Sequence, residues 1–169
     1  LGKGDEINTC IACNQACLDA IFNGKITSCL VNPFACNETE IQLKPAPIIK
    51  KIAVVGAGPA GLAAATTAAR RGHLVTLFDS ADQIGGQFNI AKQIPGKEEF
   101  YETIRYFLKE ISLSGVTLKL GLNVTPEVVN EFDEVIIATG VKPRWPEING
   151  IDHPKVVGYL DVFNGASIG

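Results

Sequence analysis

Lys51-Ile52-Ala53-Val54-Val55-Gly56-Ala57-Gly58-Pro59-Ala60-Gly61 is a short apolar run, rich in β-branched residues, that passes straight into a G-x-G-x-x-G loop. The run reads as a buried parallel strand. The Ala-rich stretch from Gly58 to Arg71 reads as a helix, with Gly72 where a helix-ending residue belongs. Leu74-Val75-Thr76-Leu77-Phe78 is a second strand, and Asp79 stands at its end, 18 residues after Gly61. Such a loop alone is weak evidence, but here strand, glycines, helix and acid come in the order and spacing of a dinucleotide site. In that arrangement Gly56 permits the tight turn, Gly58 lets the backbone approach a pyrophosphate, and Gly61 allows close packing of helix on strand. The helix N-terminus offers its free N–H groups and positive dipole end to the phosphates. Asp79 accepts hydrogen bonds from an adenosine ribose and repels a 2′-phosphate, which points to FAD, NAD or ADP rather than NADP. The competing reading makes the glycines an ordinary turn and Asp79 a solvated strand end.

Downstream, Glu98 to Leu113 carries Phe100, Ile104, Phe107, Leu108 and Ile111 at helical spacing, with Glu99, Glu102, Arg105 and Lys109 largely on the other face. Val116 to Leu120 and Glu134 to Ala138 are further strand candidates. Strands alternating with helices imply an α/β fold with a doubly wound parallel sheet. Upstream the chemistry changes. Residues 1–43 hold all five cysteines, and Pro45 and Pro47 then mark an extended linker. The expected organisation is a cysteine-rich segment over 1–43 and a nucleotide-binding domain over 44–150. Residues 151–169 are expected to begin a crossover whose end, Tyr159 to Gly169, completes no recognisable element.

The composition is that of a globular chain, with 46% hydrophobic and 20% charged residues. A net charge of -3, with Lys50-Lys51 and Arg70-Arg71 the only close basic pairs, gives no reason to expect nucleic acid or an acidic membrane surface. The longest apolar stretch, around Ala60 to Ala69, is interrupted by Gly61, Thr66 and Thr67 and falls short of a membrane span. The opening Leu1-Gly2-Lys3-Gly4-Asp5 has no leader-like apolar run, so a cytoplasmic location is the default expectation. There is no Met anywhere, and the chain begins with Leu, which suggests a piece excised from a longer protein.

Cys10, Cys13, Cys17 and Cys29 read C-x2-C-x3-C-x11-C. Three thiols within eight residues can converge on one small centre. A fourth can arrive after Gly24 permits a reversal, with Cys17 entering from a short helix over Gln15 to Phe22. An iron–sulfur cluster accommodates three close cysteines and a remote one. Structural zinc more often draws two matched pairs, which the x3 and x11 gaps fit poorly. Disulfides are disfavoured by the odd count and a reducing compartment, and inert thiols remain the plain alternative. Cys36 is expected to be a buried thiol, since four ligands already suffice.

After the ribose acid come Ile84-Gly85-Gly86-Gln87-Phe88 and, later, Ile136-Ile137-Ala138-Thr139-Gly140. Both resemble segments of flavoproteins with two dinucleotide domains, in which the Ala-Thr-Gly stretch runs near the cofactor. The likeness then becomes specific. The stretches Cys10-Ile11-Ala12-Cys13-Asn14-Gln15-Ala16-Cys17, Cys29-Leu30-Val31-Asn32-Pro33, Gly85-Gly86-Gln87-Phe88-Asn89-Ile90-Ala91 and Gln93-Ile94-Pro95-Gly96-Lys97-Glu98-Glu99-Phe100 resemble the bacterial NADPH-dependent 2,4-dienoyl-CoA reductases. The similarity continues to Gly150-Ile151-Asp152-His153-Pro154-Lys155.

That resemblance implies a parent enzyme in which an FMN barrel reduces the dienoyl thioester, a [4Fe-4S] cluster joins FMN to FAD, and a domain pair binds FAD and NADPH. It implies Cys10, Cys13, Cys17 and Cys29 as cluster ligands. It implies Ala60, Asp79, Gln87, Lys97 and Val124 around the FAD, with the loop glycines beneath the pyrophosphate. Lys97 would otherwise be a solvated loop lysine and Val124 a core residue. Neither the FMN barrel with its substrate acid nor a second glycine loop for NADPH is present. The expected partners are therefore those missing parts of the same parent chain, and no catalytic residue is assigned here. By itself the segment is expected to lack reductase activity. An amine-dehydrogenase relative holding ADP in place of FAD is the near alternative, and a non-catalytic module binding zinc and a nucleotide the distant one.

Overall fold

The computed structural model describes residues 2–168; Leu1 and Gly169, the ends of the two terminal stretches read above, lie outside the described residues. Two units are distinguished, residues 1–139 and 140–169. The first begins with a one-turn 3-10 helix, Gly4–Glu6, followed by a π-helical turn, Gln15–Asp19, that runs into the short helix α1, Ala20–Phe22. A sheet with its helices follows: β1 (Lys51–Val55), α2 (Pro59–Arg70), β2 (Leu74–Phe78), α3 (Phe88–Ala91), α4 (Phe100–Ser114), β3 (Thr117–Lys119), α5 (Pro126–Val129) and β4 (Glu134–Ile137). The second unit contains one helix, α6 (Tyr159–Phe163), where the sequence had suggested no element.

The sheet is parallel throughout, in the order β3-β2-β1-β4. Val54 of β1 lies in register with Leu77 on one side and Ile136 on the other. Central β1 buries Ile52, Ala53 and Val54 on both faces, the continuous apolar pattern that a covered parallel sheet demands. Ile52, Val54, Leu62, Ala65, Val75, Leu77, Ile84, Ile111 and Val116 form the core, so α2 and α4 supply its helical cover. Edge strand β4 stays largely exposed.

Helix α4 departs from the amphipathic reading in an instructive way. Leu108 is 51% exposed, whereas Thr103 and Glu110 are buried. Glu110 is tolerated there because the Arg70 guanidinium of α2 pairs with its carboxylate, joining the two helices. Gly115, at φ 75°, ends α4 in the left-handed conformation. The proline linker is tied to the far end of α2: Ala46 N–H donates to the Arg71 carbonyl (2.8 Å), and Arg71 Nε donates to the Lys44 carbonyl (3.1 Å).

The tightest approach in the fold is that of α2 to the end of β1. A Cβ on Gly61 would run into the Gly56 carbonyl oxygen and stand 3.3 Å from the Ala138 methyl. Gly61→Ala is therefore expected to destabilise the domain by about 1–3 kcal/mol, the usual cost of overpacking, where Gly→Ala in a helix would otherwise help. Urea unfolding monitored by circular dichroism measures it; an unchanged midpoint would show that the helix can shift away at no cost.

Candidate nucleotide cleft and cysteine arm

The G-x-G-x-x-G loop crosses the carboxyl end of the sheet between β1 and α2. Gly56 adopts φ 110°, a conformation open to glycine, and a Cβ there would strike the Ala138 carbonyl. Gly56 and Gly61 thus serve packing within the protein. Gly58 differs: among the described residues beyond its chain neighbours, the one heavy atom within 4 Å of its absent Cβ is the Gly86 Cα, at 4.0 Å. Space is left above its backbone, where a close-lying phosphate group fits. Gly58 caps α2, Pro59 takes the first helical position, and the N–H groups of Ala60 and Gly61 belong to the first turn, which an α-helix leaves without internal partners.

Asp79 is held firmly. Its Oδ2 accepts the Ala57 N–H at 2.5 Å and its Oδ1 accepts the Ala81 N–H at 2.8 Å. The carboxylate therefore joins the end of β2 to the glycine loop and keeps spare lone pairs for a ribose. The chain after β3 crosses in front of it. Gly121 N–H donates to Ala81 O (2.8 Å) and Leu122 N–H to Asp79 O (2.9 Å), which delivers Leu122, Asn123 and Val124 to the same place. Val55, Gly56, Asp79, Ser80, Leu122, Asn123, Val124 and Thr139 line one cleft of about 180 Å³. That is less than a whole cofactor pocket of roughly 300 Å³ or more, and it suits the adenosine end of a dinucleotide. Fold, open glycine and acid together fit the ADP half of such a cofactor.

The second glycine loop lies on the first. Gly85 N–H donates to Ala57 O at 2.8 Å, and a Cβ on Gly86 would stand 3.0 Å from the Gly58 Cα. Gln87 follows at the foot of α3. Ala138 packs against Gly56 and Gly61, and its N–H donates to Val55 O (2.7 Å). Gly140 opens the second unit at φ 75°. Lys97 lies on the exposed loop before α4, its ammonium 6.0 Å from the Phe100 ring centre, and is not among the cleft residues. Next in the chain, hydrogen bonds from the backbone N–H groups of Glu98 itself and of Gly96 hold the Glu98 carboxyl below the usual range. Ser80, Leu122 and Asn123 had no motif to reveal them; the one available signal is Gly121, two residues after β3.

The cysteines sit on an irregular arm. Ala12 and Asn14 adopt positive φ of 52° and 54° between and after the first two, and the Cys10 sulfur accepts the Ala12 N–H at 3.4 Å. Cys17 lies in the π-helical turn, and Gly24, at φ 63°, makes the reversal that returns the chain to Cys29. Asn8 Nδ2 donates to Val31 O at 2.7 Å, fastening the stretch before Cys10 to the stretch after Cys29. Among the described residues no three Cys, His, Asp or Glu side chains draw together closely enough to hold a single metal ion. Four thiols with a backbone N–H directed at one sulfur are nonetheless the donor chemistry of an iron–sulfur site. Cys36 is exposed rather than buried, at φ 63° with its N–H bonded to Glu38 Oε1 (3.1 Å). Its left-handed backbone in a loop turns the thiol to solvent. No helix among the described residues is long and apolar enough to cross a membrane.

Comparison with known proteins bears on both parts. Over 98% of its length the chain is 40% identical to a metal reductase of Desulforamulus reducens, of which it covers 26%. The solved structure of a 2-naphthoyl-CoA reductase matches 98% of the chain at 39% identity with a TM-score of 0.93, over 26% of that protein. A 6-hydroxypseudooxynicotine amine oxidase from Pseudomonas geniculata N1 matches 95% of the chain at 30% identity with a TM-score of 0.84, again over 26% of its own length. The chain thus spans about a quarter of these relatives. The sheet, the glycine loop and residues up to the end of α6 match one family model, over 50–167. The chain belongs to the pyridine nucleotide-disulphide oxidoreductase family, among the flavin-dependent oxidoreductases.

Proposed function

We propose that this chain is the relay segment of a reductase for conjugated acyl-CoA thioesters, with 2,4-dienoyl-CoA the substrate favoured by its motifs. The observation that carries this reading is the pairing, in one unit, of a dinucleotide cleft at Asp79 with a four-cysteine arm. Similarity at 39% identity to a protein whose substrate is 2-naphthoyl-CoA supports an acyl-CoA thioester. When bound, FAD accepts a hydride from a reduced nicotinamide and a [4Fe-4S] centre carries single electrons onward to FMN.

The residues of this chain hold and separate those groups. Asp79 orients the ribose, Gly58 makes room for the pyrophosphate, and the first turn of α2 faces its charge. Cys10, Cys13, Cys17 and Cys29 are the proposed cluster ligands, with the Ala12 N–H stabilising charge on the Cys10 sulfur. The FMN barrel and the NADPH site belong to other parts of the same parent chain, so the segment alone has no reductase activity. The second reading is an amine-oxidising parent with ADP in place of FAD, and the amine oxidase similarity supports its amine substrate. Turnover separates the two: the intact enzyme should oxidise NADPH on addition of a 2,4-dienoyl-CoA, and turnover of amines without acyl-CoA would reverse the assignment.

Two variants of the intact enzyme test the residue roles. Cys13→Ser should lower bound iron by half or more, while Cys36→Ser leaves it unchanged; equal losses would show that the ligand set is wrong. Asp79→Ala should weaken flavin retention by about 10- to 150-fold, as expected for a lost charge-assisted hydrogen bond worth about 1.5–3 kcal/mol. Flavin content after dialysis measures this, and full retention would remove Asp79 from the site.

A further inference from the structure

We propose that Arg105 is a positioning residue: it locks the cysteine arm onto α4 and thereby sets where the arm stands relative to the nucleotide cleft. The inference rests on the relay reading and adds to it a device that no motif announces. Arg105 projects from the middle of α4, on the face that the sequence assigns to solvent. In the fold its Nη1 donates to Asp5 O (2.7 Å), and its Nη2 donates to Ile7 O (2.9 Å) and Thr9 Oγ1 (3.3 Å). Its Nε donates to Glu102 Oε2 at 2.7 Å, and Thr9 Oγ1 donates to the same carboxylate oxygen at 3.4 Å. One planar guanidinium thus fastens three consecutive odd-numbered positions of the arm, the last of them adjacent to Cys10. Lysine, a point charge without the fork, cannot satisfy these acceptors together.

The same helix reaches the cleft. Ile104, the neighbour of Arg105, lies 2.9 Å from where a Gly85 Cβ would stand, so α4 packs directly beneath the second glycine loop. That loop is bonded to the first through Gly85 N–H and Ala57 O. Consecutive residues of one rigid 15-residue helix therefore touch the cysteine arm and the nucleotide loops. Helix α4 acts as a strut, and Arg105 is its attachment to the arm. Electron transfer falls steeply with separation, so a loosened arm should slow transfer while each binding site stays intact.

The test uses Arg105→Gln and Arg105→Lys in the intact enzyme, with amide hydrogen exchange of residues 5–10 as a readout independent of cofactors. Exchange there should rise by about tenfold while the β1 amides stay protected, a local opening without global loss. On mixing with reduced nicotinamide, flavin bleaching should keep its rate and iron–sulfur bleaching should slow by about tenfold, as small misplacements do in positioned systems. Loss of iron with flavin and sheet protection retained would support the same role. Unchanged exchange and unchanged iron–sulfur bleaching would overturn the proposal. So would parallel slowing of both rates with loss of β1 protection, which marks a general folding role. If the unaltered enzyme carries no iron, the relay reading fails, and the exchange measurement still decides whether Arg105 holds the arm.

Discussion

The separation between helix α2 and the end of strand β1 governs the rest of the structure. Two glycines bring the elements into contact: Gly61 lies under the Gly56 carbonyl, and Gly56 turns the chain at a positive φ against Ala138. With no side chain at either position, the first turn of α2 packs closely on the end of β1, and its N–H groups lack partners within the helix. Any Cβ here meets backbone, which cannot rotate aside as a side chain can. The N-terminus of α2, Ala138 just after β4 and the position of Asp79 are all referenced to this contact.

Asp79 shows how one carboxylate can serve two purposes. By accepting the Ala57 and Ala81 N–H groups it braces the glycine loop against β2 before any ligand arrives. This preorganisation limits the ordering that nucleotide binding must impose. A second layer repeats the device with backbone alone, as the Gly85 N–H bonds the Ala57 carbonyl and Gly86 lies over Gly58. Helix α4 supports that second layer and, through its polar face, holds the cysteine arm. The arm has little core of its own: Phe22 and Ile26 are 82% and 84% exposed. Its placement depends on directional hydrogen bonds more than on apolar burial.

Much of this was legible in the residues. The alternation of β-branched runs with an Ala-rich helix gave β1, α2 and β2 nearly to the residue, because local pattern and tertiary burial agree there. The x3 and x11 cysteine gaps and Gly24 pointed to a returning loop, and the π-helical turn lies where a short helix was expected. What the pattern missed are interactions between distant residues. Periodicity placed Leu108 inside, where it is in fact half-exposed, and gave no sign of the buried Glu110, whose partner Arg70 comes from α2. Arg105 looked like a solvated charge because its acceptors are carbonyls about a hundred residues away. Ser80 carries no motif and reaches the cleft only as the neighbour of Asp79, and the crossing of the chain after Gly121 brings Asn123 there. Cys36 was expected in the interior because four other cysteines already suffice as ligands, and it is instead exposed in a loop, at a left-handed backbone position.

The central claim, that one unit holds a flavin nucleotide and an iron–sulfur cluster side by side, is tested most directly by metal, sulfide and nucleotide analysis of the intact enzyme purified without oxygen. The account predicts iron and acid-labile sulfide in about a four-to-four ratio per chain, together with FAD. Zinc without iron or sulfide, or ADP without flavin, would contradict it.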